Sequence, residues 1–117
     1  MVFNGIDLVE ISKFDSLLND KAFIDKVFNK EEMDYINKHY AAQTMAGLYA
    51  SKEAMLKAMK KGINNYSLKD VLILHEDSGA PYIVLQGDIL RDYKLDNISL
   101  SISHDGLYAI AIVTYIN

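Results

Sequence analysis

The sequence predicts an α+β fold, an antiparallel sheet packed with one long and several short helices, and three observations carry that prediction. Ile98, Leu100 and Ile102 alternate with Ser99, Ser101 and Ser103, the two-residue period of a strand with one wet face, and an apolar run follows from Leu107 to Ile116. His104-Asp105-Gly106 separates the two runs as a hairpin turn with a histidine at its mouth, so the strands are antiparallel. The stretch before Gly62 keeps helical spacing instead and reads as the longest helix in the chain.

The remaining elements follow in order. Val2 to Glu10 reads as a strand, with Gly5 where a bulge or a close backbone approach is tolerated. Ser12 is placed to cap a short helix over Lys13 to Leu18, and Asn19 or Asp20 starts another through Phe23, Ile24, Val27 and Phe28. Asn29-Lys30-Glu31-Glu32 is a capping-box pattern that opens a helix from about Lys30 to His39. The long helix is expected to begin near Gln43 or Thr44 and to stop at Gly62, the left-handed residue that commonly ends a helix, with Lys60 and Lys61 in its last turn. Val71 to His75 and Tyr82 to Gln86 form a hairpin across Asp77-Ser78-Gly79-Ala80-Pro81, and Gly87-Asp88 opens a short helix to about Tyr93. The antiparallel sheet takes in the last hairpin and the first strand.

No repeat or linker divides the chain, and its 117 residues fit a single domain, 1–117. Half of them are hydrophobic and 24% charged, the balance of a globular protein and not of a disordered one. The absence of cysteine rules out a disulfide framework and a thiolate metal site, which suits a reducing compartment. A net charge of −4 argues against a general nucleic-acid binder. The N-terminal apolar run is broken by Asp7, and no run approaches the roughly 20 residues that span a bilayer. A soluble cytoplasmic protein, with neither nucleic acid nor membrane as partner, is the expectation.

Three residues stand where their types are out of place. Ala42, Ala46, Tyr49, Ala50 and Glu53 share one side of the long helix, so Glu53 stands among small and apolar residues with Lys57 one turn on. A buried charge needs a partner or a metal. The helix supplies none beyond Lys57, and the other end of the chain is where the partner is expected. Asp7 interrupts an apolar strand, and His104 stands at a hairpin turn. Two carboxylates with room for water and phosphate oxygens are what Mg²⁺ uses, and lysine is a point-charge partner for phosphate. The chain carries no glycine-rich phosphate loop of the P-loop or Rossmann type.

Four stretches, Gly5-Ile6-Asp7-Leu8-Val9-Glu10, Ala50-Ser51-Lys52-Glu53-Ala54 with Lys57-Ala58, Gly79-Ala80-Pro81-Tyr82 and Ser101-Ile102-Ser103-His104, stand in the order and spacing of a known family. Together they resemble the holo-acyl-carrier-protein synthases, the small 4′-phosphopantetheinyl transferases, from the first strand to the last. The resemblance implies a 4′-phosphopantetheinyl transferase-like fold with coenzyme A as donor. A serine of apo acyl carrier protein would attack the pyrophosphate, giving the holo carrier and adenosine 3′,5′-bisphosphate in support of fatty acid biosynthesis. It implies Mg²⁺ held by Asp7 and Glu53, phosphate bound by Lys57, and a coenzyme A pocket that includes His104, with Lys52 and Gly62 beside it. Asp7, Glu53 and Lys57 are the implied catalytic residues. Glu53 through a metal-bound water is the preferred general base, and His104 acting directly is the rival.

The resemblance further implies a homotrimer with active sites between subunits. The last strand is apolar beyond the alternation of a one-sided antiparallel sheet, so its second face needs a cover, either a neighbouring subunit or helices of the same chain. Lys13 and Lys26 fall where the family commonly has arginines, on a basic helix edge that would steer an acidic carrier. Leu48 departs from a common arginine, and the usual glycine-rich loop is reduced to Gly62-Ile63-Asn64. Two other readings use the same residues: a non-catalytic trimeric module that binds coenzyme A or a carrier, and a different Mg²⁺ enzyme acting on a nucleotide pyrophosphate.

Overall fold

The computed structural model describes residues 1–60, 66–93 and 97–116. Their order is β1 (Val2–Glu10), a 3-10 turn at Ile11–Lys13, α1 (Phe14–Leu17), α2 (Lys21–Val27), α3 (Lys30–Lys38), α4 (Ala41–Ala58), a 3-10 turn at Leu68–Asp70, β2 (Val71–His75), β3 (Pro81–Leu85), α5 (Gly87–Asp92), β4 (Ile98–Asp105) and β5 (Tyr108–Ile116). The sheet is antiparallel in the order β1-β5-β4, and β2 and β3 pair as a second, two-stranded sheet. This is the α+β architecture the alternation predicts, with the first strand beside the last.

The local signals hold in part. Asp20 caps α2 by accepting from the Phe23 amide, and Asn29 with Glu32 forms the expected capping box on α3. The region after Ser12 differs from expectation: a 3-10 turn leads into a single helical turn, and neither is capped by a side chain. Helix α4 starts at Ala41, earlier than expected, after Tyr40 at φ 45°, and ends at Ala58. Lys60, at φ 59°, takes the left-handed conformation just past its end; Gly62 lies outside the described residues. His104 is not in the turn. It is a strand residue opposite Ala109, and the turn is Gly106-Leu107, with Gly106 at φ 58° as a tight hairpin requires.

One glycine sets how the site is built. A Cβ on Gly5 would stand 2.1 Å from the Ala54 carbonyl oxygen and 2.5 Å from the Ala58 amide nitrogen, so only glycine lets β1 lie this close to α4. Asp7 is the next residue on the same face of β1, and the close approach carries it to the C-terminal half of α4.

The sheet has two unlike faces. Ala109, Ala111 and Val113 of β5 are buried with α4 in the core. On the other face Ile6 is 54% exposed, Leu8 59% and Ile112 43%, and the serines of β4 lie beside them. Among the described residues no helix covers this face, which speaks against helices of the same chain covering both sides of the apolar last strand.

Candidate functional site

Strand β1 and helix α4 bring two of the three misplaced residues together. Lys57 Nζ lies 2.9 Å from Asp7 Oδ1 and donates also to the Ile6 carbonyl at 3.0 Å. One turn back, Glu53 Oε1 accepts from the Tyr49 hydroxyl at 3.0 Å. Tyr49 is the partner that Glu53 required, and it stands on the same helix, not at the far end of the chain. The phenol is pushed up to about 12, by burial first, then by the hydrogen bond and charge of Glu53 and by the charge of Asp7. Both carboxylates therefore act on one hydroxyl. The aromatic side of this region opens on a cleft of about 440 Å³ lined by Val9, Phe14, Leu17, Phe23 and Tyr49, with Lys13 among its polar groups.

His104 belongs elsewhere. Its Nε2 lies 3.0 Å from Gln43 Nε2, and because an amide nitrogen only donates, the imidazole nitrogen is the acceptor there. The two side chains line a separate cleft of about 240 Å³ with Gly47, Leu48, Pro81 and Ile102. Gln43 and Glu53 are separated along α4 by about 15 Å at helical rise. Within one chain, the structure does not bring His104 to the Asp7-Glu53-Lys57 group.

Lys52 must be reassigned. It is fully buried, with Nζ 2.8 Å from Glu32 Oε2, 3.0 Å from Glu32 Oε1, 3.0 Å from the Leu68 carbonyl and 2.6 Å from the Val71 carbonyl. Its three donors are spent inside the core, and burial lowers its pKa against the opposing pull of Glu32. A coenzyme A contact from this ammonium is excluded in this conformation. Neither Glu32 nor Tyr49 was singled out as functional by sequence reasoning; for Tyr49 the signal was available, a phenol one turn before a carboxylate.

The donor set fits Mg²⁺. Two carboxylates match an ion that keeps waters and takes substrate phosphates, and a cation, the Lys57 ammonium, already rests on Asp7. Among the described residues no group of three or more His, Asp or Glu forms a self-contained cage, so other ligands would come from substrate and solvent. Also among the described residues, no helix is long and apolar enough to cross a membrane.

Paired carboxylates with a lysine beside them, carried on an α+β frame, are the equipment of enzymes that move phosphate-linked groups. The model of the 4′-phosphopantetheinyl transferase superfamily matches residues 4–113, and the chain belongs to that family. Among its relatives, the holo-[acyl-carrier-protein] synthase of Treponema denticola is 37% identical over 114 residues, 93% of each chain. That of Caldicellulosiruptor saccharolyticus is 38% identical over 116 residues, 95% of this chain and 94% of its own. The crystal structure of the Helicobacter pylori enzyme in complex with coenzyme A superposes with a TM-score of 0.86 at 29% identity, covering 99% of this chain and 100% of that one.

Proposed function

We infer that this chain, as one domain over residues 1–117, is a holo-acyl-carrier-protein synthase. It transfers the 4′-phosphopantetheine group of coenzyme A to a serine of apo acyl carrier protein. The serine oxygen bonds to the phosphorus that carries pantetheine, the bond to the bridging oxygen breaks, and adenosine 3′,5′-bisphosphate leaves. The observation that carries this reading is the Asp7-Lys57 ion pair one turn from Glu53, in a chain whose relatives are named for this reaction.

Asp7 and Glu53 would hold Mg²⁺, which when bound neutralises charge on the pyrophosphate. Lys57 is half exposed and meets phosphate oxygens as charge develops on them, releasing Asp7 as it does so. Glu53 takes up the serine proton through a water. Lys13 and Lys26 are exposed and steer the acidic carrier. The setting is cytoplasmic and serves fatty acid biosynthesis.

The enzyme is a homotrimer with its sites between subunits. Two features support this: the uncovered apolar face of Ile6, Leu8 and Ile112, and the placement of His104 at the far end of α4 from Glu53. A head-to-tail ring lets the His104 cleft of one copy complete the carboxylate end of the next.

Intact mass spectrometry of an apo acyl carrier protein incubated with this protein, coenzyme A and Mg²⁺ tests the reaction. A gain of one phosphopantetheine, abolished by chelator, is the expected result; no gain across several carriers moves the non-catalytic binding module to the front. Mixed trimers test the assembly. Glu53→Gln and His104→Ala chains, each inactive alone, are expected to regain activity when refolded together, with about one site in four intact in a cyclic arrangement. No recovery would sink the shared site.

A further inference from the structure

Glutamate followed one turn later by lysine is the favoured order for an ion pair on a helix, yet Glu53 and Lys57 do not form one. Lys57 is drawn to Asp7 and the Ile6 carbonyl, and Glu53 Oε1 accepts from Tyr49 instead. The Tyr49 ring is held by aromatic neighbours, its centroid 5.5 Å from that of Phe14 and 5.9 Å from that of Phe23. A packed ring delivers its hydroxyl to a fixed point at little entropic cost.

We propose that Tyr49 is a positioning residue for the transfer reaction: its hydroxyl holds the Glu53 carboxylate away from Lys57, with Oε1 occupied and Oε2 left for a divalent cation. This rests on the metal reading above. A phenol suits the task because it is neutral, so it orients the carboxylate without cancelling its charge. Without the hydroxyl, Lys57, one helical turn on, is a donor in reach of Glu53. An internal ion pair then competes with the cation for Glu53 and draws Lys57 from Asp7 and from phosphate. The hydroxyl thus keeps three charged side chains in three separate roles.

Tyr49→Phe keeps the ring and removes the hydroxyl. Mn²⁺ binding, followed by electron paramagnetic resonance with coenzyme A present, is measured for the wild type, Tyr49→Phe and Glu53→Gln. Tyr49→Phe is expected to weaken Mn²⁺ about tenfold, the scale of losing a group that orients a metal ligand. The Mg²⁺ concentration for half-maximal turnover should rise in parallel, and the melting temperature of the metal-free protein should not change. In a Lys57→Met background the same substitution should have little effect on Mn²⁺, because the competing ammonium is gone. A merely structural hydroxyl would not show that dependence. Wild-type affinity in Tyr49→Phe, or an equal loss with and without Lys57, overturns the proposal. If the wild type binds Mn²⁺ no better than Glu53→Gln, the metal assignment falls and the role of Tyr49 with it.

Discussion

Glu53→Gln is expected to lower kcat/KM for phosphopantetheine transfer by about 10³-fold, a loss of about 4 kcal/mol of transition-state stabilisation. The substitution keeps the shape of the side chain and an oxygen for the Tyr49 hydroxyl, which Glu53 accepts at 3.0 Å. Only the charge is lost, and with it a metal ligand and the proton acceptor. Asp7→Ala is expected to act on the same scale, since it removes the other carboxylate and the partner of Lys57. Neither change should disturb folding much, because glutamine keeps the Tyr49 bond and the ammonium that Asp7→Ala leaves unpaired is 53% exposed, so water solvates it. Single-turnover conversion of apo carrier, read by mass, with circular dichroism and sedimentation of each variant, gives the answer. Activity within tenfold of wild type in either variant would sink the metal assignment.

What the sequence revealed follows from the range over which its signals act. Strand alternation in Ile98–Ser103 and the capping box at Asn29 are local, and the structure keeps both. The bounds of α4 are not legible in the sequence, because the residues that set them, Tyr40 and Lys60, take left-handed conformations that their side chains do not advertise. Gly5 was legible as a close approach, but not what approached it, since Ala54 and Ala58 meet it only after the chain folds. Asp7 and Lys57 each stand out in the sequence, but their pairing is a tertiary fact. The same limit applies more strongly to Lys52, whose place beside Glu53 in the sequence drew it into the site. A step of one residue on a helix turns the side chain by about 100°, so neighbours in sequence face different surroundings: Glu53 the site, Lys52 the core.

Lys52→Met should therefore damage stability and not substrate binding. The ammonium lies between both Glu32 oxygens and the carbonyls of Leu68 and Val71, with the Phe28 ring 5.2 Å away. Glu32 in turn accepts from the Asn29 amide at 2.9 Å and the Ile73 amide at 2.8 Å. One buried pair thus ties the start of α3, the middle of α4, the 3-10 turn and β2 together. Methionine fills the volume but leaves Glu32 as an uncompensated charge in the core, which costs about 3–5 kcal/mol. Against the roughly 5–15 kcal/mol that hold a domain folded, this is a fall in melting temperature on the order of 10–20 °C. Adding Glu32→Gln removes the orphaned charge while keeping an acceptor for one of the two amides, which bond to different Glu32 oxygens, so the double variant should be more stable than Lys52→Met. It should remain below wild type, because the Leu68 and Val71 carbonyls still lack their donor. Thermal melts of the three proteins decide this, and a double variant no more stable than the single one would refute the charge argument. Well below its melting temperature, Lys52→Met should keep the wild-type KM for coenzyme A. A raised KM with an unchanged melting temperature would return Lys52 to the binding site.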